Sequence, residues 1–269
     1  MLLKDTRVLM DTFAEISCYS SDNEKATSAI NKAFKEMNRL EDLFNKFDEK
    51  SEISRINSLA GQQKIRINSE VFKFIQRCVY YSRITDGAFD ITVAPMKKGR
   101  YKDIVLDKED SSIYFSEEDI EIDLGGVAKG YAVDRAKEIL TKAGIKNALI
   151  NIGGNMFAMG SPPHRDNWKI GIRDPENNNE IAHRLDLKDK AVATSGDYER
   201  PFHIIDPASG DSVISRASVT IVGDSAEKVD ALSTAFFVMG PERTAEFMGS
   251  IKDVEAFIVD SDGNLVKYP

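Results

Sequence analysis

The stretch Ile122-Asp123-Leu124-Gly125-Gly126-Val127-Ala128-Lys129-Gly130-Tyr131-Ala132-Val133-Asp134 changes its pattern midway. Apolar and polar residues alternate over Glu121 to Leu124, which reads as a strand. A helix follows from about Gly126 to Ala143, with Gly144 as its C-terminal glycine. Two glycines at the junction let the backbone approach a ligand closely. The first turn of the helix offers unpaired N–H donors, an arrangement suited to phosphate. Lys129 falls in that turn, where a cation opposes the helix dipole and so calls for an anionic partner. On spacing alone, a packed strand–helix turn with a solvated lysine explains the segment at least as well.

Before this junction, Thr6 to Ser20 carries a rough strand pattern through Val8, Met10, Phe13, Ile16 and Cys18. A long helix is expected next, because Ala26, Ile30, Ala33, Phe34, Met37, Leu40, Leu43 and Phe44 recur at steps of three and four. Phe47 to Lys50 breaks the pattern. Ser51 then caps a short helix bearing Ile53 and Ile56, which stops at Gly61. A second long helix starts near Asn68-Ser69, buries Val71, Phe72, Ile75, Cys78 and Val79, and ends before Gly87. Ser112 to Phe115 reads as a short strand.

After the junction, Asn147 to Ile152 and Met156 to Met159 read as strands around the turn Gly153-Gly154-Asn155. Further strands are expected at Lys169 to Ile172, Ala191 to Thr194, Ser218 to Val222 and Ala256 to Val259. Helices are expected near Ala226 to Val238 and Glu242 to Met248. No internal repeat or low-complexity linker divides the chain, which favours one compact α+β unit over residues 1–269, with helices covering a sheet.

Composition removes several functions. With 36 basic and 44 acidic residues the formal charge is −8, so a broad electrostatic grip on nucleic acid or an anionic membrane is disfavoured. An anionic substrate would need local help from a metal ion or a helix N-terminus. The longest apolar run, Ala235 to Met239, is far too short for a membrane span. Cys18 and Cys78 belong to no CxxC and sit in apolar stretches, which reads as two buried thiols. Met1 to Asp5 shows no basic segment leading into a long apolar core, so no signal peptide is visible. Neither GxxxxGK[ST] nor GxGxxG occurs, and His164, His183 and His203 lack helical ligand spacing.

Two other constellations carry chemistry. Asp230 and Thr234, in Val229-Asp230-Ala231-Leu232-Ser233-Thr234, lie four apart on one helical face and offer a carboxylate and a hydroxyl to a hard cation. Magnesium suits that offer, since it takes few protein ligands and completes its shell with water and phosphate oxygens. An exposed aspartate beside a back-bonded threonine is the plainer reading. In Phe202-His203-Ile204-Ile205-Asp206-Pro207-Ala208-Ser209-Gly210 the turn residues place His203 at the end of a short strand. Histidine accepts a proton near neutral pH, although a lone histidine is more often structural. Ala193 to Tyr198 contains Ser195 but no GxSxG, which makes a serine hydrolase a weak reading.

Taken in order, Gly87 to Pro95, Asp123 to Asp134, Asn151 to Asn155, Ala193 to Tyr198, His203 to Gly210 and Asp230 to Thr234 follow the motif series of one family. The chain resembles the ApbE family of FAD:protein FMN transferases, which move FMN from FAD to a threonine of an acceptor protein. The likeness runs from Met10 to the C-terminal strands. It implies an α+β, T-fold-like architecture of mixed sheets flanked by helices, with FAD in a cleft formed by the middle of the chain.

By matching positions, the resemblance implies FAD contacts from Met10, Phe47, Ala88, Phe89, Asp90, Asp123, Lys129, His203 and Ile204. It places Mg²⁺ on Asp230, Thr234 and Gly126, the last through its carbonyl. His203 is the expected general base toward the acceptor hydroxyl, with Asp230 as the second catalytic position. Three departures stand out. Met10-Asp11-Thr12 replaces the family's common Met-Gly-Thr, the stretch Met96 to Asp103 is short, and the loop from Tyr198 to His203 is abbreviated; the shortened segments imply a more open cleft. No lipoprotein cysteine precedes the motifs, unlike relatives anchored on the extracytoplasmic face. The resemblance also allows an FAD pyrophosphatase, which would yield FMN and AMP with water as acceptor. A non-catalytic flavin carrier is the reading of another class.

Overall fold

A computed structural model describes residues 1–92, 100–177, 180–197, 202–215 and 217–269. Its main sheet has eight strands in the order β1-β2-β6-β7-β10-β11-β12-β13. These are β1 (Leu2–Leu9), β2 (Thr12–Tyr19), β6 (Asn147–Ile152), β7 (Asn155–Met159), β10 (Lys190–Gly196), β11 (Ser218–Gly223), β12 (Val254–Val259) and β13 (Leu265–Tyr268). A small sheet joins β3 (Ile65–Arg66), β5 (Ser112–Phe115) and β4 (Ile104–Asp107), and β8 (Trp168–Arg173) pairs with β9 (Ile181–Leu187). Every ladder among the described residues is antiparallel, where mixed sheets were expected. Tight hairpins join β1 to β2 and β6 to β7, and short turns of this kind can only reverse the strand direction.

The α-helices among the described residues are α1 (Asn23–Phe44), α2 (Glu52–Leu59), α3 (Ser69–Ile84), α4 (Ala128–Lys142) and α5 (Ala226–Met248), the last broken in two at Gly240. α1 buries the expected stripe from Ala26 to Phe44, with Leu43 partly buried, and Asp22 caps its first turn. Ser51 caps α2 and Asn68 caps α3, each accepting a backbone N–H through its side chain. α4 lies between α1 and α5, and all three cover one face of the main sheet. Ala14, Ile16, Cys18, Ile150, Ile152 and Phe157 on that face join the helices in the main core. Across the sheet, Trp168, Ile170, Ile172, Leu185 and Leu187 of β8 and β9 pack on Ala158, Val192, Val222 and Phe257 as a second core. Cys18 and Cys78 are buried thiols, as expected.

Two sequence expectations are corrected. The single strand pattern of Thr6 to Ser20 is a hairpin, turned by Met10 (φ 51) and Asp11 (φ 56) between the paired residues Leu9 and Thr12. Both turn residues are left-handed, as a two-residue hairpin of matching twist requires. The Asn-Gly or Asp-Gly pair that normally signals such a turn is absent, so the break was not visible. Glu121 to Leu124 is extended but joins no ladder. Instead Asn57 of α2 brackets Ile122, donating to its carbonyl (3.0 Å) and accepting from its N–H (2.8 Å), while the Asp123 N–H donates to the Ile91 carbonyl (2.7 Å). A side-chain amide thus takes the place of a neighbouring strand. The two expected C-terminal helices are both present, separated by Gly240 (φ 73), whose backbone is not helical, with Pro241 opening the second.

Candidate active site

The junction quoted first lies where α4 begins beside α5. Leu124 ends its extended run by accepting from both Val127 N–H (3.0 Å) and Ala128 N–H (2.8 Å), so the helix starts two residues later than the glycines. Val127 at the N-cap provides no capping side chain. Asp230 of α5 performs that task from outside the helix: its Oδ2 accepts the Gly130 N–H at 2.8 Å. A carboxylate there meets the positive end of the α4 dipole. The approach is so close that a Cβ on Gly130 would stand 2.2 Å from the Ala226 carbonyl oxygen and 2.7 Å from Asp230 Cβ. Glycine at this position is a packing requirement.

Asp230 is 4% exposed, and burial pushes its carboxyl up to about 6. Lys129, the Gly130 N–H and the Asn155 side chain act in the opposite direction, favouring the carboxylate. Lys129 Nζ also reaches the Gly125 carbonyl at 3.4 Å. One turn on, Thr234 Oγ1 donates to the Asp230 carbonyl (3.3 Å) and lies 3.5 Å from Ser195 Oγ of β10. Ser195 is closer to Ser233 Oγ, at 2.9 Å. A Cβ placed on Gly126 would meet Thr234 Oγ1 and Phe89 Cε2, each at 3.5 Å, which is ordinary contact. The residue could be alanine, as a backbone role allows. The structure therefore brings Gly126, Lys129, Asp230 and Thr234 together, with Phe89 beside them.

The other expected residues lie on other segments of the chain. Ala88 and Phe89 are buried after α3, with the Phe89 N–H donating to Thr85 Oγ1. Asp90 accepts from Thr92 N–H and Oγ1 (both 2.8 Å) and from Tyr101 N–H (2.9 Å), yet burial holds its carboxyl above the ordinary aspartate range. Asp123 Oδ1 takes the Gly125 N–H at 2.8 Å, and its Oδ2 meets Lys46 Nζ at 3.0 Å. Burial works against the Lys46 ammonium, but Asp123 and Glu121 outweigh it and raise its pKa. Phe47, beside it, is 84% exposed with Lys46 Nζ 5.2 Å from its ring centre. Met10 donates its N–H to Glu41 Oε1 (2.8 Å). His203 is exposed, and Ile204 is buried and accepts from Val213 N–H (2.8 Å) across the turn that Asp206 and Gly210 close. Val93-Ala94-Pro95, Met96 to Gly99 and Tyr198 to Pro201, parts of the expected motif and shortened loops, lie outside the described residues.

The sequence model of the ApbE family matches residues 10–101 and 96–258. The chain belongs to the ApbE family. An FAD:protein FMN transferase of Klebsiella pneumoniae is 27% identical over 292 residues, covering 96% of this chain and 89% of that protein. One from Rhodobacter capsulatus is 33% identical over 192 residues, 67% of this chain and 36% of the relative. The crystal structure of the ApbE protein from Thermotoga maritima superposes with a TM-score of 0.90 at 28% identity, over 99% of this chain and 97% of that one.

The ApbE centre seen here suits a hard cation. Its donors are all oxygen, and no group of three or more His, Cys, Asp or Glu able to hold a metal occurs among the described residues. A buried carboxylate beside a hydroxyl offers hard oxygen donors of the kind magnesium accepts, whereas zinc sites draw on His and Cys.

Sequence reasoning missed four contributors. Gly130 was quoted only as part of the junction, and its isolation inside a helix is the signal that would have marked a close contact. Asp134, one turn further on the same face, caps α5 by accepting from Ser225 Oγ (2.8 Å), Ala226 N–H (3.0 Å) and Glu227 N–H (3.0 Å). Lys46 and Asn155 reach the site through long-range contacts that no local pattern announces.

Proposed function

We propose that this chain, acting as a single domain over residues 1–269, is a Mg²⁺-dependent FAD:protein FMN transferase. It attaches FMN from FAD through a phosphoester bond to a threonine or serine of an acceptor protein and releases AMP. The observation that carries the reading is the meeting of Lys129, Gly126, Asp230 and Thr234 at the start of α4, in a member of a family whose curated relatives bear that activity as their name. This is a place for a pyrophosphate: an ammonium, a helix N-terminus and an oxygen donor set in a protein otherwise of charge −8.

Lys129 offsets charge on the pyrophosphate. Asp123, Asp90, the Ala88-Phe89 backbone, Met10, Phe47 and Ile204 line the path of FAD and hold its flavin and ribityl parts. Mg²⁺, held by Asp230, Thr234 and the Gly126 carbonyl, would neutralise phosphate charge as the bond to AMP weakens. The acceptor hydroxyl oxygen forms the new bond to the FMN phosphorus. His203 takes its proton, and the phosphoanhydride oxygen leaves with AMP. Asp230→Ala removes the carboxylate and should abolish Mg²⁺-dependent flavinylation, read as in-gel flavin fluorescence of the acceptor. Undiminished labelling by that variant would overturn the site.

A further inference from the structure

Asn155 opens β7 directly after the Gly153-Gly154 turn and is 3% exposed. Its side chain faces the Asp230 carboxylate closely enough to favour the charged form. An ionised carboxylate only accepts, so the amide nitrogen must face Asp230, which settles which end of the amide is which. The amide oxygen is bonded to the same carbon and therefore lies beside that carboxylate. It is enclosed and has no hydrogen-bond partner among the described residues. Buried polar atoms are almost always paired, and an orphan near the expected metal carboxylate calls for a partner that the described residues do not provide.

A charged carboxylate with an unpaired neutral amide oxygen close by is an arrangement for a hard cation. The alternative, that Asn155 serves only to orient Asp230, accounts for the nitrogen and leaves the oxygen unexplained. We propose that Asn155 supplies a further oxygen to the cation held by Asp230, Thr234 and Gly126. This rests on the metal site described under the proposed function, and it adds a side chain from the main sheet to a set otherwise drawn from α5 and the α4 junction. The sheet and the two helices would then share one ion.

The test is Mn²⁺ binding to the full chain with FAD present at pH 8, read by electron paramagnetic resonance of free Mn²⁺, a measurement that does not depend on turnover. Four proteins are compared: wild type, Asp230→Ala, Asn155→Leu and Asn155→Asp. Loss of binding in Asp230→Ala establishes the site itself; if Asp230→Ala binds as wild type does, the underlying metal site fails, and with it this proposal. With that control in place, Asn155→Leu should weaken Mn²⁺ binding by about tenfold or more, the usual cost of losing such a partner. Asn155→Asp decides between the two roles. An oxygen facing the ion gains charge, so affinity should equal or exceed that of wild type. A residue that only orients Asp230 would instead become a repelling neighbour, and affinity should fall as it does for leucine. That fall, or an unaltered Asn155→Leu, overturns the proposal while leaving the Asp230 site standing. Should Asn155→Leu fail to fold, the direction of the change in Asn155→Asp still decides.

Discussion

At the scale of single residues, Asp230 holds the centre together by two attachments, a helix cap on α4 and a place on the inner face of α5. Its carboxyl moves from an ordinary 3.8 to about 6 because burial outweighs Lys129, the Gly130 N–H and Asn155. A pKa raised on folding means that the neutral form is the favoured one. The associated stability is full below pH about 4 and is lost as the pH rises through about 6, a change of roughly 3 kcal/mol. Asp230→Asn keeps an acceptor for the Gly130 N–H and cannot ionise. In metal-free protein it should flatten the fall in urea-denaturation stability between pH 4 and 6.5 that wild type shows. Equal slopes in the two proteins would place the titration elsewhere. His203 belongs to a separate segment, and His203→Ala should slow FMN transfer by about 10²–10⁴-fold, a larger effect than its loss of FAD affinity measured by flavin fluorescence. A matching loss of FAD affinity would make it a binding residue only. Of these residues, Asp230 and Thr234 were legible from their i,i+4 spacing. Asn155 was not, since its partner stands on a helix far along the chain.

At the scale of elements, the contact between α4 and α5 sets the site. Gly130 gives the two helices their close approach, and Asp134 fixes the start of α5 through its three hydrogen bonds. Gly130→Ala would press a methyl group into the Ala226 carbonyl, where backbone has to move. It should cost about 2–3 kcal/mol in chemical denaturation and reduce transfer with it. A variant of unchanged stability would show that the helices can separate freely. Long helices with a clear apolar stripe, α1 and α3, could be read from periodicity, as could the β6 and β7 pair around Gly153-Gly154. What escaped were elements whose cause is not local. The Met10-Asp11 turn lacks glycine, β3 has only two residues, and the edge strand β13 is largely exposed. The run before Gly125 looks like a strand and is satisfied by Asn57, a side chain that periodicity does not weigh.

At the scale of the whole molecule, a chain of net charge −8 has to handle a substrate bearing a pyrophosphate. The fold meets this by concentrating positive potential at one point, where the start of α4 and Lys129 converge and the proposed cation would join them, while α1, α4 and α5 hold that point against the main sheet. The order of six motifs exposed the family from sequence; the geometry of α4 and α5 supplies the physical reason for their company. The central claim is group transfer from FAD to a protein hydroxyl. It is tested most directly by incubating the chain with FAD, Mg²⁺ and a threonine-bearing acceptor coexpressed from a flavin-dependent membrane redox complex, then measuring acceptor mass and released AMP together. The acceptor should gain one FMN at a hydroxyl residue for each AMP released, and both should stop when Mg²⁺ is chelated. AMP release with no gain in acceptor mass, or neither product at any Mg²⁺ concentration, would contradict it.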